Sequence, residues 1–231
     1  MPLTMPAALL AAFLVAGAAW ADDLREYAAV NEIDRESGKT FGVTQYANND
    51  ASRLCFTYAI PLKWSLKKGE PGTLVEEFGA ARARVLLWSP QELAEFAGED
   101  LLHRAAARLL KVHDEAYAAR FQIAPGGGPA PYAHGRFRAL EIKRSAFFES
   151  PVRRDDRFVV AEIGGDWILA ITVEYVQHPR VRCSFCGEFF NAVARSVLET
   201  FSTTSDPACY RALQPIPREM VLKVESAIQG R

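Results

Sequence analysis

The stretch Asp166-Trp-Ile-Leu-Ala-Ile-Thr-Val-Glu-Tyr-Val176, which a short basic link joins to a helical pattern, decides the fold. Side chains alternate along it with the period of a strand, and both of its faces are mostly apolar. A strand with two apolar faces is typical of the centre of a sheet that is covered on both sides. We therefore expect this segment to form the middle of the core.

The helical pattern extends over residues 184–201. Its apolar positions recur every three or four residues, which places them on one face of an amphipathic helix. These positions are Cys186, Phe190, Val193, Val197 and Phe201. A helix with this face is expected to lie on the central strand and to close the core, with Cys186 buried.

Shorter patterns predict the other elements. They indicate strands at residues 40–46, 54–60, 81–88, 136–143 and 157–163, and helices at 99–121 and 218–228. Gly164 and Gly165 predict a tight hairpin just before the central strand. Ser89 and Pro90 have the residue types of a helix N-cap and a first helical position. The predicted fold class is α+β, a single antiparallel sheet flanked by helices, in other words an αβα sandwich.

The predicted helix over residues 99–121 has one apolar stripe, formed by Leu102, Ala105, Leu109, Val112 and Ala116. His103 lies off this stripe and His113 lies at its edge, so both imidazoles are expected at solvated or rim positions. Asp114 is the chain neighbour of His113, and neighbouring residues on a helix do not face each other well. The polar segment 22–39 is expected to be a loose helix or a lead-in.

The N-terminal residues have the pattern of a secretory signal peptide. An uncharged apolar run from Ala7 to Ala18 precedes the A-x-A cleavage pattern that ends at Ala21. The run is shorter than the roughly 20 residues that a spanning helix needs. We expect cleavage of residues 1–21 after Ala21 and a soluble chain, periplasmic or secreted, with no membrane span. Because residues 1–6 lack Lys and Arg, an uncleaved anchor is the alternative.

Residues 22–231 fit a single α+β domain, with an irregular, proline-containing tail from about residue 205. The formal net charge of the whole chain is −1. Nucleic-acid-binding proteins need a basic excess to meet phosphates, so this charge excludes a nucleic-acid partner from our expectations. We expect no cofactor either, since no phosphate-binding loop, nucleophile elbow or zinc-protease motif is found in the sequence.

Four cysteines enter an oxidising compartment if the chain is exported: Cys55, Cys183, Cys186 and Cys209. An even number of cysteines there indicates disulfides, and four cysteines allow three connectivities. The pairing most easily drawn joins Cys183 to Cys186 and Cys55 to Cys209. The sequence leaves this connectivity open.

The pair Cys183 and Cys186 also allows two chemical hypotheses. It precedes a helix, whose positive dipole end stabilises a thiolate, and its spacing supplies an attacking and a resolving sulfur, as in a thiol-disulfide oxidoreductase. A cysteine on an apolar helix stripe is buried and inert, however, which favours a structural pair. A metal site formed with His178 is the third hypothesis. It has only three of the four ligands of a structural zinc site, so no metal is expected.

Basic residues are frequent between residues 136 and 157. If alternate strand positions place them on one sheet face, this face could bind an acidic protein partner. The partner-binding candidates are Arg136, Arg138, Arg153, Arg154 and Arg157. The alternative is a solvated sheet edge, where charges prevent edge-to-edge pairing.

The segment Phe56-Thr-Tyr-Ala-Ile-Pro-Leu-Lys-Trp64 resembles the early strand of the PsbP-like, or Mog-type, αβα-sandwich family, in which an apolar strand leads into Pro-x-x-Trp. A strand that opens with Trp167 and a closing helix with Phe190 and Phe201 are similar to the late pattern of the family. The resemblance implies an antiparallel sheet flanked by helices that docks to other proteins and has no catalytic residues. The cysteine pair is not a feature of the family.

These expectations together predict an exported, soluble, non-catalytic accessory or binding protein of the bacterial periplasm that docks to an unidentified protein. A thiol-disulfide oxidoreductase that uses Cys183 and Cys186 is the alternative, and a metal-binding protein at His178, Cys183 and Cys186 is the second alternative.

Overall fold

The structure is a computed structural model that describes residues 26–34, 40–48, 54–79, 81–118, 122–123, 127–133, 135–148, 152–175, 186–204 and 218–229. Its strands are β1 (Glu26–Asp34), β2 (Thr40–Asn48), β3 (Cys55–Pro61), β4 (Trp64–Leu66), β5 (Thr73–Glu76), β6 (Ala81–Trp88), β7 (Gln122–Ile123), β8 (Ala130–Pro131), β9 (Ala139–Phe148), β10 (Val152–Glu162), β11 (Ile168–Tyr175) and β12 (Ser202–Thr204). Its helices are α1 (Pro90–Leu93), α2 (Leu101–Tyr117), α3 (Cys186–Thr200) and α4 (Arg218–Gln229).

The described strands form two antiparallel sheets, so the prediction of a single sheet flanked by helices is wrong. A four-stranded sheet has the order β1-β2-β3-β12. An eight-stranded sheet has the order β4-β5-β6-β11-β10-β9-β7, with β8 paired to β9. Helices cover parts of both sheets, but the dominant architecture is sheet against sheet.

The correction has its origin at the N-terminal end of the described chain. Residues 26–34 form a strand and not the expected helix or lead-in, and they pair over their whole length with β2. β2 pairs in turn with β3, whose register sets Tyr46 opposite Tyr58. The sequence pattern identified β2 and β3 but not their partner β1, so a separate second sheet was not foreseen.

The centre of the large sheet agrees with the prediction. β11 pairs with β6 on one side and with β10 on the other, and the side chains of Ile168–Ile171 are fully buried. The hairpin between β10 and β11 turns through Gly164 and Gly165, which have φ angles of 94° and 60°. Only glycine adopts such positive angles without strain, so the glycine pair fixes this turn.

The main core lies between the two sheets. Aromatic residues of the small sheet meet the aliphatic inner face of the large sheet, and the apolar face of α3 completes the layer. Tyr46 and Tyr58 stack at a ring-centroid distance of 4.8 Å in this core. Phe190, Val193, Val197 and Phe201 are buried here, which confirms the predicted closing helix for these positions.

A second core lies on the outer face of the large sheet, beneath α1 and α2. Ser89 is the N-cap of α1 and Pro90 is its first residue, as predicted, and Ser89 and Glu92 complete a capping box. Asp100 is the N-cap of α2, and Leu102 and Leu109 pack onto the sheet. Among the helices of the described residues, none has both the length and the apolar character needed to cross a bilayer.

Helix α3 also protects an edge of the small sheet. β12 pairs with only the first part of β3, and α3 lies along the part that follows. Ser196 Oγ donates to the carbonyl oxygen of Ala59 at 2.7 Å, and the amide of Ala59 donates to Thr200 Oγ1 at 2.9 Å. Two hydroxyls of the helix therefore satisfy backbone groups of β3 that a further strand would otherwise bond.

Candidate functional site

The outer face of the large sheet is covered only in part. Alternate residues of β6 point inward to the main core, and the residues between them point outward. α2 covers the outer face where Trp88, Ile168 and Ala170 lie. Farther along the same strands the outward positions are polar: Arg82 and Arg84 on β6, opposite Glu174 and Thr172 on β11.

These polar residues surround a cavity of about 180 Å³ on the outer face, which we call the outer-face groove. Its lining comes from β5, β6, β11 and the turn before β5. The lining residues are Glu70, Thr73, Arg82, Ala83, Arg84, Thr172 and Glu174. The groove is smaller than the roughly 300–1,000 Å³ of pockets that hold drug-sized ligands. Its size suits one small polar group.

Arg84 has a fixed place in the groove. Its Nε donates to Thr73 Oγ1 at 3.0 Å, and its Nη2 lies 3.7 Å from Glu70 Oε2. Glu70 is also bonded by Lys67, and this hydrogen bond is the main reason why the pKa of Glu70 lies below its usual value. Arg84, Thr73, Glu70 and Lys67 thus form a chain of polar contacts along one wall.

Arg82 differs from Arg84, because within the described part of the chain it has no ion-pair partner. Its charge is close enough to contribute to the lowered pKa of Glu70, but the two side chains form no salt bridge. Glu174, which faces Arg82 across the sheet, is engaged by another interaction. The groove therefore presents one guanidinium whose donors are not used by the described residues.

The turn between β5 and β6 connects two strands that line the groove, and it carries Phe78. The side chain of Phe78 is 85% exposed, the most exposed of the large apolar side chains described. The turn itself is fixed: the Phe78 amide donates to Glu76 Oε2 at 3.0 Å and the Gly79 amide to the Glu76 carbonyl at 2.8 Å. Gly79 has a φ of 70°, which favours glycine at this position.

A second exposed apolar residue, Leu62, lies at the neighbouring corner between β3 and β4. The Glu77 amide donates to the Lys63 carbonyl at 2.9 Å, which ties this corner to the turn of Phe78. Leu62 has a φ of 72°, an unusual value for a residue with a side chain, and it is 40% exposed. We call Leu62 and Phe78 the apolar corner.

The predicted basic residues do not share one sheet face. Arg138 is exposed and forms ion pairs with Glu162 at 2.9 Å and with Asp100 at 2.5 Å, at the start of α2. Arg136 donates to the carbonyl of Phe201, the residue that follows α3. Each of these two side chains is thus occupied within the protein.

Arg157 lies on the opposite face of the large sheet from Arg138. Its Nη1 is 3.6 Å from Glu141 Oε1, and a Cβ atom at Gly187 would lie 3.2 Å from its Nη2. Arg153 and Arg154 belong to β10, but their side chains lie outside the described residues. Binding of an acidic partner by these five arginines stays a prediction.

The cysteines are described in part. Cys55 is buried in β3 and is disulfide-bonded, and its partner lies outside the described residues, so no complete disulfide is described. Cys183 and Cys209 lie outside the described residues, and so does the side chain of Cys186, the first residue of α3. The predicted pairings and the predicted burial of Cys186 therefore stay predictions.

Two residues of the hypothesised metal site, His178 and Cys183, lie outside the described residues. In the part of the chain that the structure does describe, no group of three or more His, Cys, Asp or Glu side chains is arranged to hold a metal ion.

His113 is buried, so its predicted rim position is wrong. It is 5% exposed, and its Nε2 lies 3.0 Å from Asp156 Oδ2 on β10. Its Nδ1 lies 3.1 Å from Asp114 Oδ1, although chain neighbours on a helix were not expected to meet. Arg144 bonds the same carboxylate at 3.1 and 2.5 Å, and its hydrogen bonds are the main reason why the pKa of Asp114 is lowered. His113 and Asp156 are buried against each other, which indicates a structural role.

The sequence contains signals for the groove. Arg82 and Arg84 interrupt the apolar strand pattern of residues 81–88, and two arginines at alternate positions of a strand share one sheet face. Phe78 gave a weaker signal. An aromatic residue directly before a glycine in a turn has little neighbouring chain to cover it, but its exposure depends on the tertiary packing.

Comparison with known proteins gives one structural neighbour. No family model and no curated protein matches the chain. The solved structure is described as "Solution Structure of Cyanobacterial PsbP (CyanoP) from Synechocystis sp. PCC 6803", with 14% sequence identity and a TM-score of 0.48. The match covers 70% of this chain and 92% of that chain.

The neighbour is described as a PsbP protein. A likeness of this size carries no argument, so the resemblance of the sequence to the PsbP-like, Mog-type family stays a prediction.

Proposed function

We propose that this protein is an exported, soluble, non-catalytic accessory protein that docks to another protein. Docking uses the end of the large sheet that carries the apolar corner and the outer-face groove. Membership in the PsbP-like, Mog-type family belongs to the same proposal and rests on the motifs between Phe56 and Phe201.

One observation carries the proposal: Phe78 is 85% exposed on a turn whose backbone is fixed by hydrogen bonds. An exposed aromatic ring costs free energy in water, and binding surfaces use such rings as anchors. Because the turn is already ordered, binding loses little conformational entropy there. The arginines of the groove belong to β6, the strand that follows this turn, and arginine is enriched at interfaces together with aromatic residues.

The experiment is affinity capture with matched variants. The mature protein, Phe78→Ser and a control variant are immobilised and exposed to an envelope extract of the organism that encodes the chain, and the retained proteins are quantified by mass spectrometry. Leu222→Ser is the control, since Leu222 is 54% exposed on α4, a helix that contributes no residue to the apolar corner. We expect a protein that the wild type and Leu222→Ser retain and Phe78→Ser does not.

The affinity of that protein is then measured after purification. Loss of a central aromatic anchor is expected to cost at least about 2 kcal/mol, or about 30-fold in Kd. If no protein depends on Phe78 for its retention, or if Leu222→Ser loses the same protein, docking through the apolar corner is wrong.

A second candidate function is thiol-disulfide exchange by Cys183 and Cys186. The observation that favours it is the guanidinium of Arg157, which packs against Gly187, the residue after Cys186. A cation near the start of a helix stabilises a thiolate and lowers the pKa of a cysteine. The reduction potential separates the two functions. A value below about −300 mV indicates a structural disulfide, and a more oxidising value indicates exchange chemistry.

Export itself is tested by N-terminal sequencing of the protein from the periplasm or the medium. Cleavage after Ala21 leaves Asp22 as the first residue. A protein recovered from the cytoplasm with Met1 in place excludes the proposed location.

A further inference from the structure

We propose that the outer-face groove binds one carboxylate, the side chain of an aspartate or glutamate of the docked protein. This inference rests on the proposed docking function and adds the chemistry of the partner at one point of the interface.

The free guanidinium of Arg82 is the first argument. Within the described residues Arg84 is held by Thr73 and Glu70, whereas Arg82 has no ion-pair partner. A guanidinium has five N–H donors in a planar fork that matches the two oxygens of a carboxylate. Arg82 can therefore offer a bidentate site without first breaking an ion pair in the described structure.

The hydroxyls of the groove are the second argument. Thr172 lies opposite Arg84 on β11, and Thr73 lies opposite Arg84 on β5, so both hydroxyls stand beside Arg84, which shares the outer face with Arg82. Hydroxyl groups can donate to a carboxylate oxygen that the guanidinium leaves partly unsatisfied. The row of donors lies across neighbouring strands, which hold it rigidly.

Charge selects a carboxylate over a phosphate. The lining contains Arg82 and Arg84, but also Glu70 and Glu174. The charges of these four side chains cancel, so a second negative charge on the ligand gains no net attraction from the lining, and the planar fork of Arg82 matches the two oxygens of a carboxylate. The cavity of about 180 Å³ accommodates the end of one side chain and not a large ligand.

Position selects a protein side chain as the source. The turn that carries Phe78 leads directly into β6, whose second residue is Arg82. A protein that covers Phe78 therefore reaches the groove within the same contact. An apolar anchor with a neighbouring charged pair is a common arrangement at the centre and rim of interfaces.

The test uses a blocked peptide, acetyl-Gly-Glu-Gly-amide, and its glutamine counterpart, acetyl-Gly-Gln-Gly-amide. Binding to the ¹⁵N-labelled mature protein is followed by NMR at the backbone amides of β5, β6 and β11 and at the arginine Nε–H groups. We expect the glutamate peptide to shift the Arg82 signal and the glutamine peptide to leave it unchanged. Equal shifts with both peptides, or none with either, would overturn the proposal.

Variants then assign the site. Arg82→Gln is expected to raise the Kd of the glutamate peptide about tenfold or more, and Arg82→Lys is expected to have a smaller effect because it keeps the charge without the fork. Arg218→Gln removes the same charge from the exposed start of α4 and is expected to change nothing. Thermal unfolding of each variant checks that it is folded. Unchanged binding by folded Arg82→Gln rejects the site.

Two further results separate this inference from others. Acetate that binds at Arg82 more tightly than the glutamate peptide indicates a site for free small acids and overturns the assignment to a protein side chain. Phe78→Ser is expected to bind the peptide normally. If Phe78-dependent capture succeeds and the glutamate peptide does not bind, only the groove proposal is wrong. If the peptide binds and no protein is captured through Phe78, the proposed docking function is wrong.

Discussion

At the scale of the residue, His113 shows how an apolar stripe can be misassigned. The sequence predicts that the apolar stripe of α2 continues from Leu109 to Val112 and Ala116. In the structure Val112 is 52% exposed, and the buried residue that follows Leu109 is His113. Both interpretations fit the spacing of an α-helix. Asp156 on β10 decides which residue is buried, because it lies under the last turns of α2 and its Oδ2 is 3.0 Å from the Nε2 of His113. A partner so distant in sequence could not be read from the helix pattern.

Replacing His113 is expected to destabilise the protein. His113→Ala removes a buried hydrogen-bond partner from Asp156, whose side chain is fully buried, and leaves a cavity beside Phe158. We expect a loss of about 3 kcal/mol in the free energy of unfolding, measured by urea denaturation. Val112→Ala, one position earlier and exposed, serves as the control and is expected to change it by less than about 0.5 kcal/mol. Equal effects of the two variants contradict the buried role of His113.

The lowered pKa of Asp114 predicts how the stability of the fold depends on pH. Hydrogen bonds from Arg144 lower the pKa of this carboxyl in the folded state, so the stabilisation is present above the unfolded value near pH 4 and is lost as the pH falls below it. Asp114 is partly exposed, so solvent screening limits the effect to about 1 kcal/mol. Denaturation at pH 6 and pH 3 should therefore show a smaller difference in Asp114→Asn than in the wild type. An unchanged difference rules out this contribution.

At the scale of the element, strands and helices with strong periodicity were predicted well, and their partners were not. The central strand, the capped start of α1 and the Gly164-Gly165 hairpin are local features, and the structure confirms all three. The pairing of β1 with β2 and the distribution of strands over two sheets depend on contacts between distant segments. The outer-face groove also depends on contacts between distant segments, because it forms on the part of the sheet that α2 does not cover.

The contact of α3 with β3 can be tested at the two hydroxyls. Thr200 Oγ1 accepts from Ala59 and donates to the Ser196 carbonyl at 2.6 Å, and both hydroxyls are buried. Thr200→Val keeps the shape but leaves the Ala59 amide without this acceptor. We expect a loss of about 1–3 kcal/mol in unfolding free energy. Thr203→Val on exposed β12 is the control, and a similar loss there shows that the effect does not come from the buried hydrogen bond.

At the scale of the whole molecule, the disulfide of Cys55 is expected to tie the two ends of the small sheet together. β12 pairs with β3 so that Thr204 lies opposite Cys55, and Cys209 follows five residues later, within reach of an extended chain. This register supports the predicted disulfide between Cys55 and Cys209. Cys183 is then left to pair with Cys186. The sequence alone allowed all three connectivities because it does not show which residues of β3 and β12 lie opposite each other.

Peptide mapping under non-reducing conditions tests the connectivity directly. We expect one cross-linked peptide that contains Cys55 and Cys209. The double variant Cys55→Ala with Cys209→Ala is expected to lose about 2–5 kcal/mol of unfolding free energy, because the bond closes a long loop. A cross-link from Cys55 to Cys183 or Cys186 excludes the predicted pairing. The other two cysteines, Cys209 and the remaining one of Cys183 and Cys186, would then be left to pair with each other.

The tyrosines of the main core give the protein its own optical reporter. Burial raises the pKa of Tyr46, Tyr58, Tyr132 and Tyr175, to about 12 in the case of Tyr132, and these are four of the seven tyrosines in the chain. Their phenols stay neutral in the folded protein as the pH passes 10, the ordinary value, and ionise when the chain opens. Folded stability is therefore present below pH 10 and declines as alkali is added. A delayed, cooperative rise in phenolate absorbance would record the moment at which the two sheets separate, without any added label.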